Sequence, residues 1–158
     1  MKERGVKFSD EMLAAVMGGR KTQMRPLIEP QPKVTEKRLR ELDAWQEGYT
    51  LSEQVCEAWR HDLINNDCPY GQAGDIIPFA DKDGNIKGEI EIVDVWLQQA
   101  QDITLGDICK EVGCGLYDFE PANFGFEVWE AVWKLIHSEE SWQANPLVWV
   151  IEFKRVIP

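Results

Sequence analysis

Hydrophobic and polar positions change period several times along this chain, and each change marks an element. Val6-Lys7-Phe8 alternates over so few residues that only a short strand fits. Ser9 then stands before Asp10-Glu11-Met12-Leu13-Ala14-Ala15-Val16-Met17. This is a helical run with an N-cap hydroxyl and acids in its first turn, which complement the helix dipole. Gly18-Gly19 closes it, because glycine takes the left-handed position without a Cβ clash. Pro26, Pro30 and Pro32 keep the next stretch extended or looped. Residues 35–66 read as an α-helical insert. Thr35 caps a helix from Glu36 to Trp45, and Gly48 breaks it. Thr50 and Glu53 form a capping box for a second helix, with Val55, Trp59 and Leu63 on one face. Asn65-Asn66-Asp67 ends that helix.

From Cys68 the pattern turns to strands. Cys68-Pro69-Tyr70-Gly71-Gln72-Ala73-Gly74-Asp75 is rich in turn residues, and Ile76-Ile77-Pro78-Phe79-Ala80 is a short apolar run. Pro78 lacks an N–H, which puts its strand at an edge or its bonds outside the ladder. Asp81 to Asn85 is a hairpin loop. The strand from Ile86 to Leu97 alternates through Glu89-Ile90-Glu91-Ile92 and changes phase at Val93-Asp94, which predicts a bulge or sharp coil. Thr104 caps a helix over Leu105 to Val112, closed by Gly113, with Leu105, Ile108 and Val112 inward and Glu111 at the flank. A stronger helix runs from Glu127 to His137, with Trp129, Val132, Trp133 and Ile136 on one face. Leu147 to Val156 is apolar on both faces at first, the mark of a central strand. These elements predict one α+β domain over residues 1–158, a small β-barrel with flanking helices rather than a doubly wound sheet.

Composition narrows the class. Apolar residues make up 44% and charged residues 28%, the balance of a chain able to bury a core. No stretch approaches ~18 uncharged apolar residues, and no apolar segment follows the charged start, so a cytoplasmic protein without a membrane span is expected. The net charge of -11 is unevenly spread. Residues 1–40 carry +5 and the remainder -16, so a basic segment sits on an acidic body. Cys56, Cys68, Cys109 and Cys114 contain no Cys-x-x-Cys pair, and with only His61 and His137 they make a poor zinc set. Neither a metal nor a cofactor is expected. Trp129, Trp133 and Trp149 stand at core periods, whereas Trp96, Trp142 and Tyr70 lie near loops where they could stack on a base.

The candidate chemistry lies just after Gly18-Gly19. Strand alternation through Arg20-Lys21-Thr22-Gln23-Met24-Arg25 puts Lys21, Gln23 and Arg25 on one face, and Arg20, Thr22 and Met24 on the other. With Met24 toward the core, the Lys21 face would look into a cleft and cradle an anion. Arg20 is counted among the anion-binding residues, as one of three cations in this short run.

Three stretches carry a family resemblance. They are Phe8-Ser9 through Gly19-Arg20-Lys21-Thr22-Gln23-Met24-Arg25-Pro26 with Pro30-Gln31-Pro32; Cys68-Pro69-Tyr70-Gly71-Gln72-Ala73-Gly74-Asp75; and Ser141-Trp142-Gln143-Ala144-Asn145-Pro146-Leu147-Val148-Trp149-Val150-Ile151-Glu152-Phe153. In that order they resemble ASCH-domain proteins of the phage and prophage type. The resemblance implies a PUA-like barrel and binding of RNA or a modified nucleoside, inside a bacterial host cell. Some small relatives are amidohydrolases that deacetylate N4-acetylcytidine with a Lys, a Thr and a Glu. Carried onto this chain, the Lys falls on Lys21 and the Glu on Glu111, while the Thr position is Met24. A thioether is no hydroxyl nucleophile, so Thr22 or water would have to serve. Three functions follow: a module binding RNA or a nucleoside through Arg20, Lys21, Gln23, Arg25 and Glu111; an amidohydrolase using Lys21, Glu111 and Thr22; and a phage accessory protein that binds a host protein, to which the missing Thr and the 35–66 insert point.

Overall fold

The computed structural model describes residues 5–29, 31, 35–41, 43–60, 68–112 and 121–157. The side chains of residues 105, 109, 112 and 121–125 lie outside the description. The expected ends of the second insert helix, the Gly113 stop, Leu63, His61 and Cys114 also fall outside it.

Along the chain come β1 (Val6–Lys7), α1 (Asp10–Met17), β2 (Gln23–Met24), α2 (Glu36–Glu41) and α3 (Leu51–Arg60). Then follow β3 (Ile76–Ala80), β4 (Ile86–Gln99), a short 3-10 turn, α4 (Leu105–Val112), α5 (Pro121–Ile136), α6 (Glu139–Ala144) and β5 (Leu147–Val156). The fold is mixed α+β, with one five-stranded sheet ordered β1-β3-β4-β5-β2. Only the β1–β3 pair is parallel. Among the described residues the end strands β1 and β2 are not paired with each other, so the sheet is a bent, unclosed one.

Caps and turns form where the sequence places them. Ser9 accepts from the Met12 N–H, and Gly19 takes φ +75° directly after α1. Thr50 and Glu53 satisfy each other's backbone N–H at 3.1 and 3.0 Å, the reciprocal bonds of a capping box. The first insert helix is shorter than predicted. It ends at Glu41, because Asp43 enters the left-handed region (φ 57°) and the Ala44 N–H turns back onto the Leu39 carbonyl. Pro78 lies on an interior strand, opposite Glu89 in the β3–β4 register. On the other side β1 pairs only with Phe79 and Ala80, so Pro78 stands just beyond that short ladder.

The phase change in β4 is a bulge. Ile92 pairs with Phe153 and Asp94 with Glu152, which leaves Val93 as the extra, exposed residue. β5 lies between β4 and β2 and buries both faces. Trp149, Ile151 and Phe153 join one core cluster with Phe79, Ile90, Ile92 and Val55. Val148 and Val150 face a second cluster with Ile108, Trp129 and Trp133. α3 covers the first face through Val55 and Trp59, whose ring meets Trp149 edge-on at 5.4 Å. α4 and α5 cover the second. Ile136, expected inward, is instead 62% exposed at the end of α5. Among the described residues, no helix is long and apolar enough to cross a membrane.

Candidate functional site: a buried polar cluster between β2 and α4

Six described polar or charged residues are buried, and four of them meet in one place: Lys21, Gln23, Arg25 and Glu111. Burying charge is costly unless it is paired, so this concentration needs a local reason. The reason begins in the backbone. The Thr22 N–H donates to the Lys110 carbonyl, and the Thr22 carbonyl accepts from Phe153 N–H. β2 is thereby pinned between α4 and β5. Alternation then turns Lys21, Gln23 and Arg25 toward α4, while Met24 enters the core. Arg20 lies apart, exposed to solvent. Thr22 is half-buried, and no hydrogen bond from its side chain joins it to Lys21 or Glu111.

Lys21 is fully engaged. Its ammonium donates to Glu111 Oε2 at 2.6 Å, to the Gln23 carbonyl at 2.7 Å and to the Glu111 carbonyl. An ammonium has three protons, so none remains for another partner. The Glu111 carbonyl belongs to the last turn of α4, where helix carbonyls lack partners and cations complement the dipole. Lys21 is thus both an ion-pair partner and a C-terminal cap.

Gln23 is saturated as well. Its amide N–H groups reach Glu152 Oε2 at 3.0 Å and Asp107 Oδ1 at 3.2 Å, and its carbonyl oxygen accepts from Arg25 Nη1 at 2.9 Å. Arg25 Nη1 also reaches Glu111 Oε1 at 3.3 Å, and Nε reaches Gln98 Oε1 at 3.3 Å. Its Nη2 differs. That atom is buried without a hydrogen-bond partner, and the nearest carboxylate, Asp107 Oδ2, stands 3.7 Å away. Burial pushes the guanidinium below its ordinary pKa, while Glu111 and Asp107 pull it back up.

Asp107, Gln98 and Glu152 are only half-buried, so they form the side of the cluster that meets water. Lys21 and Arg25 face three carboxylates (Asp107, Glu111 and Glu152), and Lys110 stands 3.8 Å from Asp107 Oδ1 on the exposed side. The formal charges therefore balance, unlike the surplus of cations expected from Lys21, Gln23 and Arg25 alone. Sequence reasoning missed Asp107, Gln98 and Glu152. A signal for Asp107 was available: it stands four residues before Glu111, one turn away on the same helix face.

The other candidates have structural places. Tyr70 packs against the first core cluster, and Trp96 and Trp142 against the second. Burial raises the pKa of both Tyr70 and Cys68. Among the described residues, no group of three His, Cys, Asp or Glu could hold a metal.

No family model matches the chain, and no curated protein does. Solved structures do. A protein of Enterococcus faecalis described with the family model DUF984 is 14% identical and superposes with a TM-score of 0.53, over 99% of this chain and 81% of that one. An ASCH domain from Lactobacillus crispatus is 16% identical with a TM-score of 0.52, over 96% of this chain and 79% of that one. At this identity the likeness shows the fold, an ASCH-type α+β fold.

Proposed function

We propose that this chain is a binding module for RNA or a modified nucleoside, and that it receives a base at the β2–α4 cluster. One observation carries the reading: a buried polar cluster with an unspent guanidinium N–H pair behind a lip of half-buried carboxylates and an amide. Such a set suits the edge of a base, whose amino groups donate to carboxylates and whose oxygens accept from Arg. The half-buried carboxylates of Asp107 and Glu152 on the water-facing side disfavour a phosphate inside the cluster. Phosphates of an RNA would meet the exposed Arg20 instead. The ASCH-type fold and the Gly19-Arg20-Lys21 segment support the same reading.

The test is calorimetric titration with a nucleoside panel, including cytidine and N4-acetylcytidine, and with a mixed-sequence single-stranded RNA at two salt concentrations. Saturable nucleoside binding with little salt dependence is expected, and RNA binding should weaken with salt through its phosphate contacts. Failure of every nucleoside and of the RNA overturns the reading.

The close contact of Lys21 and Glu111 favours a second reading, an amidohydrolase acting on an N4-acetylcytidine-like base. Met24 is core, so water would be the nucleophile and Glu111 the proton shuttle. Cytidine released from N4-acetylcytidine above a Lys21→Ala control would establish it, and its absence would remove it.

A further inference from the structure

Two cations enter the β2–α4 cluster, and their donors are spent very differently. Lys21 gives all three of its protons to protein acceptors, two of them backbone carbonyls. Arg25 gives Nε and Nη1 to Gln98, Gln23 and Glu111, and keeps Nη2 without a hydrogen bond, 3.7 Å from Asp107 Oδ2, with its side chain wholly buried. An unsatisfied buried donor costs free energy in the fold. A charged one costs more, and such a group calls for a reason, such as a water, an ion or a ligand that completes it.

Resting on the base-binding reading above, we propose that Arg25 is the residue that contacts the ligand, through Nη2, and that Lys21 is a positioning residue that touches no ligand. Arg25 offers this N–H pair to an oxygen or nitrogen acceptor of an uncharged ligand, for which the half-buried Asp107 side chain 3.7 Å away must move aside, since Nη2 itself has no exposed surface. Asp107 and Glu152, already partners of Gln23, take the ligand's donors. Lys21 works at one remove. It fixes the carboxylate and the carbonyl of Glu111, and Glu111 Oε1 in turn holds Arg25 Nη1. The guanidinium plane is then set from two sides, by Glu111 and by the Gln23 amide, so that Nη2 faces the Asp107 lip. An uncharged ligand follows from the balanced charge of the cluster, three carboxylates against Lys21, Arg25 and the outlying Lys110, which leaves no surplus cation for an anion.

Side-chain nitrogen NMR on the unmodified, isotope-labelled chain separates the two roles, with uridine, cytidine, N4-acetylcytidine and inorganic phosphate as probes. The free chain should show a slowly exchanging Lys21 ammonium signal, as a triply bonded, buried ammonium requires. The nucleoside that binds should move the Arg25 Nε signal and leave the Lys21 ammonium in place, while phosphate moves neither. Arg25→Lys keeps the charge but removes Nη2, and should weaken that nucleoside about tenfold or more. Lys21→Arg should restore part of the binding lost in Lys21→Met, because only the position of Glu111 is at stake. A nucleoside that shifts Lys21 and not Arg25, or unaltered binding in Arg25→Lys, overturns this proposal alone. Silence of every resonance overturns it together with the base-binding reading.

Discussion

The same residue types build two very different charge groups in this molecule. On α2, Arg38 pairs with Glu41 and Arg40 with Glu36 and Glu47, all with half or more of each side chain in water. Between β2 and α4, Lys21 and Arg25 meet Glu111 with side chains at most 7% exposed. In the exposed group water screens each attraction, and holding long side chains in one geometry costs entropy, so such pairs contribute little. In the buried group each charge depends on the others, because removing one strands its partners away from water. Burial decides which group the fold depends on.

The largest effect follows from Glu111→Ala, which strands both cations. A loss of about 3–5 kcal/mol is expected in denaturant unfolding. A loss no larger than that of an α2 variant would erase the distinction between the two groups. Lys21→Met should cost nearly as much, whereas Lys21→Met with Glu111→Leu should cost less than the two singles together, since neither member of that pair is then stranded by loss of the other, although Arg25 still loses Glu111. Additive losses would mean that the pair is not coupled. Thr50→Ala removes one half of the capping box on α3 and should cost about 1 kcal/mol, read from the same unfolding curves.

A smaller effect depends on pH. The His137 ring lies 4.2 Å from that of Trp133, and burial lowers its pKa. The unfolded chain therefore takes up this proton first as pH falls, so stability declines on acidification below about pH 6.5. His137→Gln should flatten that part of the profile, and an unchanged slope would assign it to other groups. The smallest effect belongs to Arg40→Ala on α2, which should leave the unfolding midpoint unchanged.

Much of the scaffold was legible because its signals are local. The capping box at Thr50, the bulge at Val93 and the doubly buried strand at Leu147 each follow from a few adjacent residues. The end of α2 was not, since Asp43 in a left-handed conformation has no strong sequence mark. The exposure of Ile136 depends on where α5 ends against its neighbours, which periodicity does not encode.

The motifs that suggested a family turn out to be mostly fasteners of the fold. Gln31 exchanges two hydrogen bonds with the Leu147 backbone. Gly71, at φ 128°, leaves no room for a Cβ beside Asp75, whose carboxylate accepts from the Gln72 N–H, and Asp75 and Gly74 then bond the backbone of Ile92 at the bulge. Asn145 accepts from the Gln101 N–H and so joins the start of β5 to the end of β4. The last stretch also sends Glu152 to the polar cluster, and the Lys21 to Arg25 stretch builds most of it. There alternation gave the right face, but the charge of the site depended on Asp107 and Glu152, contributed from 84 and 129 residues away from Gln23. Long-range convergence of this kind is invisible to local pattern.

The central claim is that the buried cluster is kept for a ligand and not only to tie α4 to the sheet. The Lys21→Met/Glu111→Leu double variant tests it most directly, because it preserves the tie by packing while dismantling the hydrogen-bonded positioning of Arg25. Calorimetric titration of the folded double variant and of the unmodified chain, with the same nucleoside panel, compares the two. The account predicts saturable binding by the unmodified chain and at least a tenfold loss in the folded double variant. Equal binding by both would contradict it.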